Sequence, residues 1–330
     1  MGADASTLVV TNGDSVANLL KEAGKAAEIL PWRDVLHAGP VPMTATLEEL
    51  SAIRAAALET LDLARGPQIR TGFADRDAVV GAHQRFDRIE LWFEHDLYDQ
   101  LQLLQILDYF AGQDVPGGKL TLVQADTYLT DYRPDEILGL EPHARPVTTQ
   151  ELETGAAIWE AFRQTTPEAF AAHLDRPVAP LAHMRPAVLR MLEELPDANS
   201  GLSRTERQML RALAEGADTA GRLFPAATSY DDPKFMGDHP FWRILEDLAF
   251  ADEPLVSGLK ERFDIGWELA DMKHYFAMPL ALTAVGRDVL AGKTDHAGVN
   301  RIDMWLGGTH VTNGNLWRWD PDTESLKSPT

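Results

Sequence analysis

Short apolar runs alternate with amphipathic helical patterns along the first 146 residues. Four of these runs, at residues 7–10, 27–30, 89–93 and 119–124, have the length and residue types of buried strands. Helical patterns lie between them, and the clearest predicts a helix over residues 46–65. Strands that are separated by helices pair in parallel through right-handed crossovers. The pattern therefore predicts an α/β fold, with a mostly parallel sheet of about four strands and flanking helices.

The rest of the chain changes pattern twice. Residues 148–195 have helical periods only, and residues 196–201, PDANSG, have the composition of a linker. Beyond them, three helical patterns, a short strand pair and a closing helix resemble a winged helix. The sequence thus predicts a Rossmann-like, ligand-binding α/β domain (1–146), a helical segment (147–197) and a winged-helix-like domain with a C-terminal aromatic hairpin (198–330).

The C-terminal tail is rich in tryptophan and glycine. Trp305, Trp317 and Trp319 lie around a Gly-Gly pair and the dipeptide Asn313-Gly314. Asn-Gly between apolar runs is typical of a tight hairpin turn. Because aromatic side chains carry large apolar surfaces, we expect the tryptophans to seal one domain against another.

Composition narrows the possible functions. The chain has no cysteine, which excludes disulfides, thiolate nucleophiles and zinc-thiolate sites. The formal net charge of -21 argues against nonspecific binding to nucleic acid, because that binding depends on Lys and Arg. Without a basic apolar leader or a long uncharged apolar run, the sequence predicts a cytoplasmic, bacterial protein that does not cross a membrane.

Polar residues follow each of the four predicted strands. In an open parallel sheet the carboxyl ends of the strands share one edge, and ligands bind outside that edge. We therefore expect these side chains to meet there. The candidates are Asn12, Gly13, Asp14 and Ser15 after the first strand, Trp32, Arg33, Asp34 and His37 after the second, Glu94, His95, Asp96 and Gln100 after the third, and Gln124 and Asp126 after the fourth.

These residue types suggest proton transfer or cation binding. His37 or His95 would carry a proton, because imidazole titrates near neutral pH. Glu94 and Asp96 would orient the histidine or hold a divalent cation through oxygen ligands, as would Asp14 and Asp34. The catalytic candidates are accordingly His37, His95, Glu94 and Asp96, and the other residues would bind a small polar ligand. The hypothesis is a hydrolase or transferase, with the metal or cofactor left open.

A purely structural interpretation of the same residues is also open. Asp14 and Asp96 would then cap helices, Trp32 would fill the core, Glu94 would meet an arginine and His95 would be a core histidine. Asp34 would pair with Arg33 or with a backbone amide.

A second function is a regulatory or adaptor protein. Its α/β domain would sense a ligand, and the winged helix would contact a protein partner or a second copy of the chain. The third helix of that domain is acidic, with Glu246, Asp247, Asp252 and Glu253, which favours a protein partner over DNA.

Five segments resemble a known family. They are residues 11–15, TNGDS, residues 32–41, WRDVLHAGPV, residues 92–101, WFEHDLYDQL, and the tail segments WLGGTH and WRWD. Together they look like bacterial proteins grouped under domain-of-unknown-function family 1835, including its longer members. The resemblance covers most of the chain and implies an intact architecture, but it implies no activity.

Overall fold

The first region is built on a five-stranded sheet. The computed structural model describes residues 6–176 and 181–329. The strands are β1 (Thr7–Asn12), β2 (Glu28–Trp32), β3 (Arg88–Phe93), β4 (Leu120–Gln124) and β5 (Arg145–Pro146), in the order β2-β1-β3-β4-β5. The first four strands are parallel, and β5 pairs with β4 in the antiparallel direction. The predicted mostly parallel α/β sheet is confirmed, while the short β5 was not predicted.

Helices cover both faces of this sheet. They are α1 (Asp14–Glu22), α2 (Leu47–Thr60), α3 (Pro67–Gly81), α4 (Leu97–Ala111), α5 (Pro134–Ile137), α6 (Thr149–Phe162), α7 (Glu168–Ala171) and α8 (Met184–Leu192). Short 3-10 helices occur at His83–Arg85, Leu129–Asp131, Leu138–His143 and Ala172–Leu174. The helix predicted over residues 46–65 ends at Thr60, five residues early.

Alternating side chains of each strand enter two different apolar cores. Leu91 and Phe93 of β3 pack in the larger core, whereas Trp92 packs with Val16 and Leu20 of α1 on the opposite face. All of these side chains are at most 1% exposed. A sheet that is buried on both faces leaves only its ends open, so polar groups collect at the carboxyl edge.

Helix α4 is central because it is buried almost all round. Its neighbour α6 approaches so closely that a Cβ on Gly155 would lie 2.7 Å from the Leu107 side chain. The polar residues of α4, Asp99, Gln100, Gln102 and Gln105, are all at most 2% exposed. Buried polar side chains must find partners, so these four fix the helix against the loops at the sheet edge.

The second half of the chain is mainly helical. It contains α9 (Arg204–Ala214), α10 (Ala220–Thr228), α11 (Asp238–Ala249), α12 (Leu269–Phe276), α13 (Ala284–Leu290) and α14 (His296–Val299). Three short antiparallel pairs join β6 (Val256–Ser257) to β7 (Ala281–Leu282), β8 (Asp303–Leu306) to β9 (Thr309–Thr312), and β10 (Arg318–Asp320) to β11 (Ser325–Lys327). Helix α12, between β6 and β7, was not predicted. No helix in the described parts of the chain is both long enough and apolar enough to cross a membrane.

The segment predicted as a linker is packed into the structure. Asp197 and Ser200 are 4% and 3% exposed. The Trp319 N–H donates to the Pro196 carbonyl over 3.0 Å, and the Ala198 N–H donates to the Trp319 carbonyl over 2.9 Å. The segment is therefore an irregular connection between α8 and α9, as its composition predicts, but it is packed because the C-terminal tail returns to pair with it. Turn-forming residues predict where the chain bends, but they do not predict whether the bend is buried.

The tail also closes onto the first region. Gly307, at the turn between β8 and β9, accepts a 2.8 Å bond from the Val41 N–H, and a Cβ there would lie 2.0 Å from the Phe162 carbonyl oxygen. The predicted tight turn at Asn313-Gly314 is present, since the Asn315 N–H donates to the Thr312 carbonyl over 3.0 Å. Trp317 and Trp319 are buried, as the prediction of a packing role requires, whereas Trp305 is partly exposed and stacks on the His310 ring at 4.3 Å between centroids.

Candidate functional site

Three buried carboxyl groups converge just beyond the end of β3. Glu94 lies in the connection after the strand, Asp96 is the N-cap of α4, and Asp99 is in the first turn of that helix. One carboxylate oxygen from each residue lies within 4.8 Å of the other two. The residues are 4%, 5% and 0% exposed, so the cluster is largely shielded from bulk water.

Local hydrogen bonds explain why these side chains can meet. Consecutive residues of an extended strand face opposite ways, which alone would separate Glu94 from its neighbours. The strand ends at Phe93, and the chain turns there because the Glu94 N–H donates to Asp99 Oδ1 over 2.7 Å. The Asp99 N–H donates in turn to Asp96 Oδ1 over 3.0 Å. Asp96 is therefore the predicted helix cap and a member of the cluster at once.

Neighbouring strand ends contribute amides to the cluster. The Asn12 side chain, at the end of β1, donates a short bond to Asp99 Oδ2. Gln100 donates to the Glu94 carbonyl over 2.6 Å, and Gln124, at the end of β4, lies 3.5 Å from the Gln100 oxygen. Three adjacent parallel strands thus supply polar groups to one place, as expected for a carboxyl edge.

Burial raises the pKa of all three carboxyl groups in the cluster. Burial and the Asp96 charge raise the pKa of Glu94 to about 7, and burial raises the pKa of Asp96 to about 6. Burial and the two neighbouring carboxylates also raise the pKa of Asp99 well above its ordinary range. Within residues 6–176 and 181–329, none of the three forms an ion pair with Lys, Arg or His. The arginine predicted to meet Glu94 is absent there, and the Leu129 N–H donates to Glu94 Oε1 instead, over 2.7 Å.

His95 points into a different environment from its two acidic neighbours. Its ring lies 5.2 Å from the Tyr128 ring and 5.9 Å from the His183 ring, between centroids. His95 Nδ1 is buried and has no hydrogen-bond partner among the described residues. Burial, reinforced by His183, lowers the pKa of His95, so the ring is neutral at pH 7. Asp126 is exposed, and its Oδ1 lies 3.0 Å from His183 Nε2, which places it beside this pair and outside the carboxyl cluster.

His37 lies apart from the cluster. Its ring packs against Tyr98 and Phe235, at 5.9 and 5.1 Å between centroids. It lines a cavity of about 190 Å³, whereas His95 lines another of about 170 Å³. The expectation that both histidines would share one hollow with the acids is therefore wrong. Burial, then the charges of Arg54 and Arg190, lower the pKa of His37 to about 3, so it cannot carry a proton near neutral pH.

The acids and the arginine after β1 and β2 are engaged in ion pairs. Asp14 accepts two bonds from Arg33, at 2.7 and 2.9 Å, and both side chains are exposed. Asp14 does not cap α1, because the N-cap is Gly13 and it makes no side-chain cap bond. Asp34 pairs with Arg54 over 2.9 Å, and both side chains are fully buried. It therefore pairs neither with Arg33 nor with a backbone amide.

Two further candidates also lie away from the cluster. Trp32 is fully buried and donates to Gln105 over 2.8 Å, which is the core position predicted by the structural interpretation. Ser15 is exposed on the first turn of α1. Of the predicted edge residues, the structure brings together Asn12, Glu94, Asp96, Gln100 and Gln124.

Asp99 is the site residue that the sequence analysis missed. It lies within residues 92–101, one of the segments that resemble the known family, but it is not among the residues expected at the carboxyl edge. The available signal was its position three residues after the N-cap Asp96, where the side chain of a first-turn residue can reach back toward the strand end. A buried face of α4 that carries Asp, Gln, Gln and Gln was a second signal.

Comparison with known proteins does not assign a family or a function to this site. No protein-family model matches the chain, and no curated protein matches it either. The resemblance to family 1835 therefore stays a prediction, and the functional argument rests on the site itself.

Proposed function

We propose that this chain binds a divalent cation through Glu94, Asp96 and Asp99, and that the bound cation helps to hold a small polar ligand at the carboxyl edge of the sheet. The observation that carries the proposal is the convergence of three buried carboxyl groups with no cationic side chain paired to them in the described regions. A buried charge is costly unless it is paired, coordinates a metal or is neutralised by a proton.

The donor set favours a hard cation. Carboxylate oxygens are the ligands of Mg²⁺, Ca²⁺ and Mn²⁺, and sulfur donors, which softer ions prefer, are absent from the cluster. Backbone N–H groups bond to Glu94 and Asp96, and both oxygens of Asp99 accept bonds, from the Glu94 N–H and the Asn12 side chain. Each carboxylate has about four lone-pair sites, so sites remain for a cation. The same bonds hold the carboxyl groups in position before any ion arrives.

The proposed chemistry is hydrolysis or group transfer. A divalent cation in such a site polarises a ligand oxygen or lowers the pKa of a water. The neutral ring of His95, next to Glu94 and Asp96 in the chain, would accept a proton through its unpartnered Nδ1. Asn12, Gln100 and Gln124 would orient the ligand or the carboxylates at the edge.

Calorimetric titration of cation-stripped protein with Mg²⁺, Mn²⁺ and Ca²⁺ tests the first step. We expect saturable binding of at least one ion, and a loss of about tenfold or more in affinity in Glu94→Gln and Asp96→Asn. Both substitutions keep an oxygen that can accept the existing N–H bond. Asp135→Asn, which removes an exposed carboxylate on α5, is the control and should bind as the wild type does. Absence of binding, or an equal loss in the control, would refute the cation site.

The catalytic step has its own test. A panel of phosphoesters and acyl esters is incubated with the protein, with and without the bound ion. Turnover that requires the ion, and that His95→Ala abolishes while cation affinity is retained, would support the enzyme hypothesis. If the ion binds and no panel member turns over, a binding role without catalysis is favoured.

The second candidate function is a regulatory or adaptor protein. The order α9, α10 and α11 followed by the antiparallel β6 and β7 supports a winged-helix-like arrangement. Glu246 of α11 is fully buried and accepts bonds from Arg243 at 2.6 Å and Arg262 at 3.2 Å. Because these arginines bond to an internal acid, they are poorly placed to bind phosphates, which favours a protein partner.

Filter binding to genomic DNA fragments at low salt separates the two kinds of partner. We expect no retention of DNA. Retention that falls steeply with added salt would overturn the preference for a protein partner.

A further inference from the structure

A cavity distinct from the carboxyl cluster is lined by residues from both halves of the chain. Its volume is about 190 Å³, and its walls include His37 and Leu61 from the first region, Ile244 and Asp247 from α11, and Trp305 from β8. None of the three clustered acids lines it. An occupant of this cavity would therefore contact a different set of residues.

One wall carries a polar group whose hydrogen-bonding capacity is unused. Both ring nitrogens of His37 are buried, and neither has a hydrogen-bond partner among the described residues. A neutral imidazole has one N–H donor and one acceptor nitrogen, and leaving both unmet in a buried place costs free energy. Because both nitrogens are closed off, a ligand hydroxyl or amine would satisfy one of them once the His37 ring turns toward the cavity.

Glu206, Asp247 and Asp303 line both this cavity and an adjoining cleft of about 450 Å³. Asp303 is already paired with Arg301 and His310, and Glu206 accepts a bond from the Ser203 N–H. Asp247 forms no hydrogen bond or ion pair with any described residue, although it feels the charges of Arg243 and Arg262. Arg243 lies on the same wall, but its Nη1 donates to Glu246 over 2.6 Å.

Apolar side chains also line the cavity. They are Leu61, Leu63, Met236, Ile244 and Trp305. A dry cavity of about 150 Å³ can hold a benzene molecule, so a cavity of this size accepts roughly six to eight heavy atoms. The presence of hydrogen-bonding, apolar and anionic side chains in one lining defines the complementary ligand.

We propose that this cavity binds a small organic amine with an apolar body, whose ammonium group faces Asp247 and Glu206 and whose far end carries a hydroxyl or second amine that bonds to His37. The positive charge of the ammonium group offsets the negative charge of these carboxylates, which have few cationic partners. The apolar body displaces water from the leucine, isoleucine and tryptophan side chains. The site shares no lining residue with the cation site at the carboxyl cluster.

Three matched probes test each part of the proposal on the full-length protein. They are 6-amino-1-hexanol, which has both polar ends, 1,6-hexanediol, which lacks the charge, and hexylamine, which lacks the hydroxyl. In calorimetric titrations we expect 6-amino-1-hexanol to bind about tenfold or more tightly than the diol, and several-fold more tightly than hexylamine. Equal affinities for the three compounds, or no binding of any, would overturn the proposal.

Two variants assign the polar contacts. His37→Phe keeps a ring against Tyr98 and Phe235 and removes both nitrogens, so it should abolish the preference for 6-amino-1-hexanol over hexylamine. Asp247→Asn should abolish the preference over the diol. Asp271→Asn removes an exposed acid on α12, outside this cavity, and should change nothing. An equal effect of Asp247→Asn and Asp271→Asn would mean that the amine is attracted by the net negative charge of the protein and that Asp247 does not bind it specifically.

Discussion

The buried carboxyl cluster should make the stability of the cation-free protein fall as the pH rises. Glu94 is the residue best suited to measure this, because its pKa is raised from an ordinary value of 4.5 to about 7 and its side chain is 4% exposed. In Glu94→Gln the amide cannot ionise, and its oxygen can still accept the bond from the Leu129 N–H. The variant therefore removes the titration and keeps the contact.

The sign and size of the effect follow from proton linkage. A carboxyl group with a raised pKa in the folded state holds its proton more tightly there than in the unfolded chain. Its contribution to stability is fully present below pH 4.5 and is lost progressively as the pH rises through about 7. A rise of this size in the pKa corresponds to roughly 3 kcal/mol, because one pKa unit is worth about 1.4 kcal/mol.

Urea unfolding at pH 5 and pH 8, in the presence of a chelator, measures the effect. We expect the free energy of unfolding of the wild type to fall by roughly 2 to 3 kcal/mol more than that of Glu94→Gln over this range. Glu153→Gln, which removes an exposed acid on α6, should keep the wild-type slope. Comparison with the variant cancels titrating groups that do not interact with Glu94, such as Glu206, whose pKa burial raises to about 7. Asp99 does not cancel, because the Glu94 charge contributes to its raised pKa.

Equal pH slopes in the wild type and Glu94→Gln would refute the electrostatic interpretation of the cluster. Such a result would mean that Glu94 ionises freely in the folded protein. A bound cation gives a second check, since it should restore stability at pH 8. An ion at about 100 times its dissociation constant adds roughly 2.7 kcal/mol.

Two further predictions concern stability away from the cluster. Asp34→Ala leaves the fully buried Arg54 without its carboxylate partner and should lower the free energy of unfolding in urea by roughly 3 to 5 kcal/mol. Asp14→Ala, at the exposed pair with Arg33, should lower it by less than about 1 kcal/mol. Equal losses would contradict the expectation that burial decides the cost of breaking an ion pair. Gly307→Ala places a Cβ 2.0 Å from a backbone oxygen at a φ of +58°, so it should destabilise the protein by roughly 2 kcal/mol or more. In Gly314→Ala the nearest atom to the new Cβ is 3.9 Å away, so the free energy of unfolding should change little. Trypsin digestion of the tail would detect the detachment expected in the first glycine variant, and an intact tail in both would refute it.

The sheet was predictable because its signal is local. Each of the first four strands is a short apolar run between helical periods, and parallel pairing follows from that alternation. The fifth strand, Arg145–Pro146, is two residues long and has no period to detect. Helix α12 was missed for a related reason, since it is only eight residues long and follows a turn rich in charged residues.

The site was predictable in part. Glu94 and Asp96 could be placed at the edge because they directly follow a strand. Asp34 stands in an equivalent position after β2, yet it pairs with Arg54, which is 20 residues away in a helix. The sequence shows which side chains can ionise, whereas the choice of partner depends on tertiary contacts that a local pattern does not contain.

The loop between α10 and α11 contacts residues that lie next to both proposed sites. The Tyr128 hydroxyl, whose ring packs on His95, donates to the Lys234 carbonyl over 3.0 Å. The next residue, Phe235, packs its ring on His37 at 5.1 Å. One short segment is therefore in contact with the surroundings of the carboxyl cluster on one side and with the amine cavity on the other.

This shared loop should couple the two sites if both are occupied. Ligand at either site shifts the loop toward the arrangement that suits it, and thermodynamic linkage requires each ligand to change the affinity of the other by the same factor. Titration of the divalent cation with and without saturating 6-amino-1-hexanol, and the reverse titration, measures that factor. We expect equal factors that differ from one. Phe235→Leu, which removes the ring contact with His37, should bring both factors closer to one. Cation affinity that is identical with and without the amine would show that the loop is rigid and that the two sites act separately.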